Sequence, residues 1–493
     1  MSISGTIHLY NGKILVDPEK VEFCSSITIQ NGVVTSLDEP LSCDALSVDL
    51  QGATAVPGFI DSHLHLVLSA TGLGIDLSGC TSKEDFVETL EVLHEEDSAW
   101  GICSRWNDER LGEMPAMSWI PKSIKKPIIC YRVDLHSALL NEEALALLDR
   151  DRLRVMPGGS RIDEGFVMED VLFEEVLPLI PELPLKEKIA CMKRAISLLH
   201  KHGITSVGTM ERLEDVQTIL QPLQEDQLMR FYVICLDQPS EVFCAGRNVL
   251  NENEYLAIIG MKSFLDGSFG SRTAKMYEEW CDASGCGEWA GHASKGGLNA
   301  WVAQVTELGL APVLHAIGDE AVGKALRAID GLSESVHARI EHAQSIAERD
   351  VLFLKNKWFG VQPLHFLDEE IVAGRALGTK RALEMHNWRR MLDAGAHLSF
   401  GSDWPVAPPI PIDAMAVAIR CGVTPIEALV ATTQNAARSL QSTRIGNLGI
   451  DAMGDVVVLD KNPLNCDWKK EKPSVTMTIQ AGNVVFTKDG SSE

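Results

Sequence analysis

Pro57-Gly58-Phe59-Ile60-Asp61-Ser62-His63-Leu64-His65-Leu66 reads as a buried strand that ends in two histidines one residue apart. In an extended strand, side chains at i and i+2 point to the same side. His63 and His65 therefore both face one point at the strand's end. Two imidazoles converging on a point make metal-ligand geometry. Two structural histidines in a strand-to-loop turn would read the same way, so the pair alone does not decide.

Four further candidate ligands follow, each at or near the end of a short apolar run. Met261-Lys262-Ser263-Phe264-Leu265-Asp266-Gly267 carries Lys262, early in its run. Ala311-Pro312-Val313-Leu314-His315 ends in His315, Ala338-Arg339-Ile340-Glu341-His342 in His342, and Leu398-Ser399-Phe400-Gly401-Ser402-Asp403 in Asp403. Helical period separates these runs, as from Asp319 to Leu332. Strands alternating with helices predict parallel βα units. In a (β/α)8 barrel, functional residues sit at the C-terminal ends of strands. Unrelated strands would rarely each end in a ligand-type residue.

The set His63, His65, Lys262, His315, His342 and Asp403 resembles the ligand set of the amidohydrolase superfamily. The phrases Arg132-Val133-Asp134-Leu135-His136-Ser137, Leu265 to Ala274, His315-Ala316-Ile317-Gly318-Asp319, Arg339 to Gln344, Val361-Gln362-Pro363 and Gly401-Ser402-Asp403-Trp404-Pro405-Val406 resemble its YtcJ-like branch, amidohydrolase family 3. The resemblance runs from about Leu9 to Phe486 and is not specific to a substrate.

The resemblance implies His63, His65 and Asp403 on a first divalent metal and His315 and His342 on a second, two zinc ions per chain, with manganese or iron as alternatives. A free lysine is an ammonium without a lone pair and a poor ligand. In the family this lysine is often carbamylated by CO2 into a carboxylate that bridges two metals, and Lys262 matches that position. A bare Lys262 that neutralises Asp266 or orients substrate is the other reading. Asp403 is implied as general base and then general acid, taking a proton from the attacking hydroxide and passing it to the leaving nitrogen. As a plain residue, it would be a helix N-cap. His136, Arg272 and Gln362 are candidate substrate contacts. Against these stand a structural histidine for His136 and a loop-ordering salt bridge for Arg272. His365, in the loop beyond Pro363, could reach substrate but is not among the expected contacts. Asn107 departs from the Trp-Asp that the family often shows at Trp106-Asn107, and Glu109 reads as a surface residue.

The expected reaction is hydrolysis of a non-peptide C–N bond (an amide, formamide or cyclic amide) through metal-activated hydroxide. The alternatives are a hydrolytic deaminase of the same fold and a binding protein that kept the fold. Related deaminases usually place a glutamate in a His-x-x-Glu phrase, whereas Ala316-Ile317-Gly318 follows His315 and the acids come at Asp319 and Glu320. An intact ligand set argues against an idle scaffold.

The chain has 493 residues, 45% hydrophobic and 23% charged, too long for one ordinary core. The barrel is expected over 57–442, with an inserted subdomain within about 70–190; 1–56 and 443–493 are both β-rich, and the resemblance implies that they join as the two parts of one small β-sandwich. Val48 to Val56 reads as one strand of the sandwich, and Val475 to Gln480 pairs with Val484-Val485-Phe486. A formal charge of −25 argues against nucleic acid or anionic membrane as a partner. A small-molecule substrate is expected, with a homodimer as an option. No apolar run approaches a membrane span. The start Met1 to Thr6 lacks the pattern of a signal peptide, so a cytoplasmic protein is expected. The 12 cysteines are scattered and read as reduced thiols. Cys281 and Cys286 lack two further ligands for a second metal site. The tail Ser491-Ser492-Glu493 is expected to fray.

Overall fold

The computed structural model describes residues 5–40, 45–72, 74–94, 98–156 and 158–488. The expected fraying of Ser491 to Glu493 lies outside the described residues. Eight strands form one sheet in chain order: β1 (Phe59–Leu64), β2 (Ile204–Glu211), β3 (Arg230–Leu236), β4 (Leu256–Phe264), β5 (Ala311–Ala316), β6 (Arg339–His342), β7 (Trp358–Val361) and β8 (His397–Phe400). Every neighbouring pair along this order is parallel. Helices lie between them, including Leu185–Lys201 before β2, Leu298–Glu307 before β5, Asp319–Ala328 before β6 and His365–Ala382 before β8. This is the (β/α)8 arrangement.

The strands are covered on both faces, which is why they read as unbroken apolar runs. All six residues of β1 are buried. Between β1 and β8 the ring is drawn together by a few bonds. Ser62 Oγ lies 3.2 Å from Ser399 Oγ. The Asp403 N–H donates to the His63 carbonyl at 2.7 Å, and the His65 N–H to that of Trp404 at 2.8 Å.

Strands from both ends of the chain build two further sheets. Val33–Leu37, Ile27–Gln30, Thr6–Tyr10 and Leu46–Asp49 form one. Asn483–Thr487, Val475–Gln480, Val456–Leu459, Thr54–Pro57, Lys13–Asp17 and Glu22–Cys24 form the other. The chain's ends meet where Val456 pairs with Pro57 and Val457 with Val56. Ile7, Leu9, Ile27 and Ile29 pack with Ile14, Val456, Val458 and Ile479 between the sheets. The single strand expected over Val48 to Val56 is two strands, in different sheets. Gln51 (φ 51°) and Gly52 (φ 83°) turn the chain between them, a left-handed backbone that a strand does not accommodate.

Residues Val67–Cys191 form a compact unit of their own. Its sheet runs Phe166–Met168, Ser137–Leu140, Ile128–Arg132, Gly101–Trp106, Ile75–Asp76. Side chains alternate between two cores. Ile128, Cys130 and Leu139 pack with Phe86, Trp106 and Trp119. Ile129, Ala138 and Leu140 pack with Leu145, Val167 and Leu172. Among the described residues no helix is long and apolar enough to cross a membrane.

Candidate metal centre

The candidate ligands collect at the C-terminal ends of the barrel strands. His63 is the fifth residue of β1, and His65 is one residue past its end. Lys262 is two residues from the end of β4, which starts earlier than the Met261 run suggests, so its position is as terminal as the others. His315 is next to last in β5, His342 is the last residue of β6, and Asp403 lies three residues beyond β8.

Asp403 is where β1 and β8 meet. Its Oδ1 is 3.2 Å from His63 Nε2 and 3.3 Å from His65 Nε2. These three residues could together hold a metal ion. Lys262 Nζ stands 3.0 Å from His63 Nε2. It faces the histidine pair. Asp266 accepts instead from the backbone N–H groups of Lys275 at 2.8 Å, Ile317 at 3.0 Å and Gly318 at 2.8 Å, and its Oδ1 lies 3.7 Å from His315 Nε2. Backbone geometry aims the acid: Asp403 has φ 55° and His342 has φ 72°. In a regular strand, Glu341 and His342 would face opposite sides; the left-handed turn at His342 ends that alternation.

Electrostatics follow from burial. His65 is pushed down to about 4, chiefly by desolvation. Burial also lowers Lys262 and drives His342 well below the ordinary histidine range. For Asp403, burial works toward protonation, but His63 and then His65 and His342 outweigh it and hold the carboxyl well below the usual carboxylate range. His65 and His342 are thus neutral beside an ionised carboxylate, as ligands of a divalent metal must be. At His63 burial and Lys262 work against the charge, but Glu341 and Asp403 outweigh them and raise it above the ordinary histidine value.

Behind His63 lies a chain of buried groups. His63 Nδ1 is 2.5 Å from Glu341 Oε2, and Glu341 Oε1 is 2.7 Å from Arg339 Nη2. The same guanidinium donates to the Ser62 carbonyl at 3.0 Å. Burial would raise Glu341, but Arg339 and His63 hold it down to about 2. An ionised Glu341 accepts from His63 Nδ1–H, so the proton that metal binding displaces is the one on Nε2, which faces the barrel mouth, as outer partners arrange in metal sites. Glu341 and Arg339 were not singled out in the sequence. Their signal was there: two charged residues at i and i+2 in an otherwise apolar strand share one face.

A second group gathers around β6. His315 and His342 rings are 4.4 Å apart. His315 Nε2 is 3.1 Å from the Gly267 carbonyl, so any ligand bond from His315 runs through Nδ1. His342 Nδ1 is 2.9 Å from Gln362 Oε1. Its Nε2 is buried without a hydrogen-bond partner among the described residues. With Nδ1–H donating to Gln362 Oε1, Nε2 carries a lone pair, and the donor set fits a divalent metal. His342, His365 and Asp403 form a further group able to hold an ion. His315 is outside both groups, whereas His365 is inside one.

The remaining candidates have other neighbours. Gln362 follows β7 and also donates to the Gly360 carbonyl at 3.2 Å. Arg272 binds Asp282 through Nε at 2.9 Å and Nη2 at 2.8 Å, and caps the Phe269 carbonyl at 2.9 Å. That pairing orders its loop. His136 belongs to the Val67–Cys191 unit, with Nδ1 3.2 Å from Glu169 Oε2. Asn107 caps the short helix Asp108–Leu111 by accepting from the Glu109 N–H at 2.9 Å. Asp319 accepts from the Tyr277 N–H at 2.8 Å, and Glu320 stands 3.7 Å from Lys275.

Residues 47–486 match the amidohydrolase family model, a stretch that contains every phrase of the resemblance. The chain is 28% identical to "Protein LONG AFTER FAR-RED 3" of Arabidopsis thaliana, covering 97% of this chain and 91% of that protein. It is 24% identical to an N-substituted formamide deformylase of Arthrobacter pascens, covering 93% of each. An uncharacterized metal-dependent hydrolase of Pyrococcus horikoshii superposes with a TM-score of 0.76 at 25% identity, covering 95% of this chain and 100% of that one.

Proposed function

The chain belongs to the amidohydrolase family, and from that we propose that it hydrolyses a non-peptide C–N bond (an amide, formamide or cyclic amide) at a divalent metal centre in the barrel mouth. The observation that carries this reading is the convergence of His63, His65 and Asp403 on one point, with Lys262 3.0 Å from His63. The relationship to a formamide deformylase makes formamides the first substrates to try.

In this reading, His63, His65 and Asp403 hold one ion, and His315 and His342 hold a second. Zinc is the expected ion. A divalent ion, when bound, polarises the substrate carbonyl and lowers the pKa of a water to about 7. Lys262 completes the set as a carbamate. Burial favours its neutral amine; the nitrogen lone pair adds to the carbon of CO2, one proton leaves, and the product is an anion where an ammonium would repel a cation. Asp403 moves the protons. It takes one from the attacking water and delivers it to the nitrogen as the C–N bond breaks. Glu341 and Gln362 keep the His63 and His342 rings in place through both steps.

The test is a screen of N-formyl, N-acyl and cyclic amides against protein of known zinc content. The expected outcome is turnover of at least one class, with amine release that stops on chelation. Fully loaded protein that hydrolyses none of the three classes would overturn the proposal. Intact-mass measurement of freshly purified protein should show the added mass of one CO2, absent from Lys262→Arg.

A further inference from the structure

His365 has surroundings that the family's ligand set does not explain. It follows β7 by four residues and opens the helix His365–Ala382. Its side chain is 8% exposed, and its Nε2 stands 3.9 Å from Asp403 Oδ2. That nitrogen is buried without a hydrogen-bond partner among the described residues. His342, from the neighbouring strand, has the same defect at Nε2; its approach to Asp403 Oδ2, at 3.9 Å, is through Nδ1, the atom that also faces Gln362. The two rings lie nearly parallel at 17°, with centroids 6.3 Å apart. Ligand atoms of His342, His365 and Asp403 all lie within 4.8 Å of one another.

Buried polar atoms are rarely left unpaired. Two unpartnered imidazole nitrogens and a carboxylate in one cluster have a common explanation: something among them takes a lone pair from each ring and a bond from the carboxylate. The acid one turn further along the helix does not serve, because Glu369 Oε2 is bonded to His386 Nε2 at 2.5 Å. A divalent cation meets all three requirements at once.

We propose that His365 is a ligand of the metal centre, sharing an ion with His342 and Asp403. This rests on the reading that the barrel mouth holds divalent ions. It adds to the strand-borne set a ligand that is carried on a helix.

The experiment compares wild-type protein with His365→Ala and His365→Gln, each stripped and titrated with zinc against a chromophoric chelator. Circular dichroism and melting of the metal-free forms check the fold. The expected result is loss of about one ion per chain, or at least about tenfold weaker binding of one ion, with the other retained. Zinc stoichiometry and affinity equal to wild type in both folded variants would overturn the proposal. If neither variant folds, anomalous diffraction from zinc-loaded wild-type crystals decides. An ion within about 2.0–2.1 Å of His365 Nε2 supports the assignment, and a separation beyond about 3 Å overturns it. Wild-type protein that binds no divalent ion would sink the proposed function as well. Metal bound without His365 sinks this inference alone.

Discussion

Glu341 decides which nitrogen His63 presents at the barrel mouth. Its carboxylate is fully buried, between His63 Nδ1 and Arg339. Replacing it with Gln removes the charge and leaves Arg339 buried without its partner, a change that typically costs about 3–5 kcal/mol. The sign of the pH dependence follows from its depressed folded value. Glu341 titrates near 2 when folded and near 4.3 in an unfolded chain. Its stabilisation is therefore fully present above about pH 5 and is lost as pH falls toward 2. Urea titrations of the metal-free proteins should show a gap between wild type and Glu341→Gln that is widest at pH 7 and closes on acidification. A gap independent of pH would refute the ionised pair. Zinc affinity should fall about 10- to 100-fold in the same variant, as when an outer-shell partner is lost. Asp403→Asn addresses the other end of the site. It should keep the fold and most of the metal while turnover drops about a hundredfold to ten-thousandfold. Near wild-type turnover of a true substrate would place proton transfer elsewhere.

At the scale of elements, the site depends on how closely neighbouring strands approach. A methyl group at Gly360 of β7 would lie 2.0 Å from Glu341 Oε2, and one at Gly401, just past β8, would lie 2.7 Å from both the backbone nitrogen and Cβ of His63. The first neighbour is a carboxylate already held by His63 and Arg339. The second is backbone of β1 and has little freedom to shift. Gly401→Ala should therefore cost about 1–3 kcal/mol or more and open the β1–β8 junction that fixes Asp403 on His63. Denaturation midpoints and zinc content check this together. The expectation fails if Gly401→Ala matches wild type in both. Gly360→Ala should crowd the buried Glu341 carboxylate, and its losses of stability and of metal affinity should resemble those of Glu341→Gln.

For the whole molecule, the last strands are as much a part of the barrel's foundation as the first. Val456–Leu459 lies beside Thr54–Pro57, which runs through Gly58 into β1. The Gly58 N–H donates to the Asp455 carbonyl at 2.8 Å. Asp455 also pairs with the buried Arg230 at the start of β3. A chain ending at residue 446 would lose three of the six strands of that sheet and expose Ala55 and Val56. It would also leave Arg230 charged and unpaired. Such a truncation should be insoluble or aggregated and should not hold zinc. A soluble, monodisperse and metal-loaded truncation would refute the dependence. The test is size-exclusion chromatography with elemental analysis.

The sequence by itself determined the barrel and the positions of its candidate ligands. Apolar runs that end in His63, His65, His315, His342 or Asp403 report burial on both faces of a strand, and strand-end placement follows from chain order. Local periodicity carries that information. It carries none about partners that are distant in sequence. Glu341 meets His63 across 278 residues of chain, and His365, four residues past β7, meets Asp403 because β7 and β8 are neighbours in the sheet. Pairings of that kind depend on which strands are neighbours and on where left-handed residues such as His342 and Asp403 turn the chain. The split of Val48 to Val56 into strands of two different sheets was hidden for the same reason. The turn at Gln51-Gly52 is a local feature, but which sheet each strand joins is settled only by what it packs against. Only the tertiary structure decided these contacts, because each is a close approach between segments whose sequences do not encode their separation.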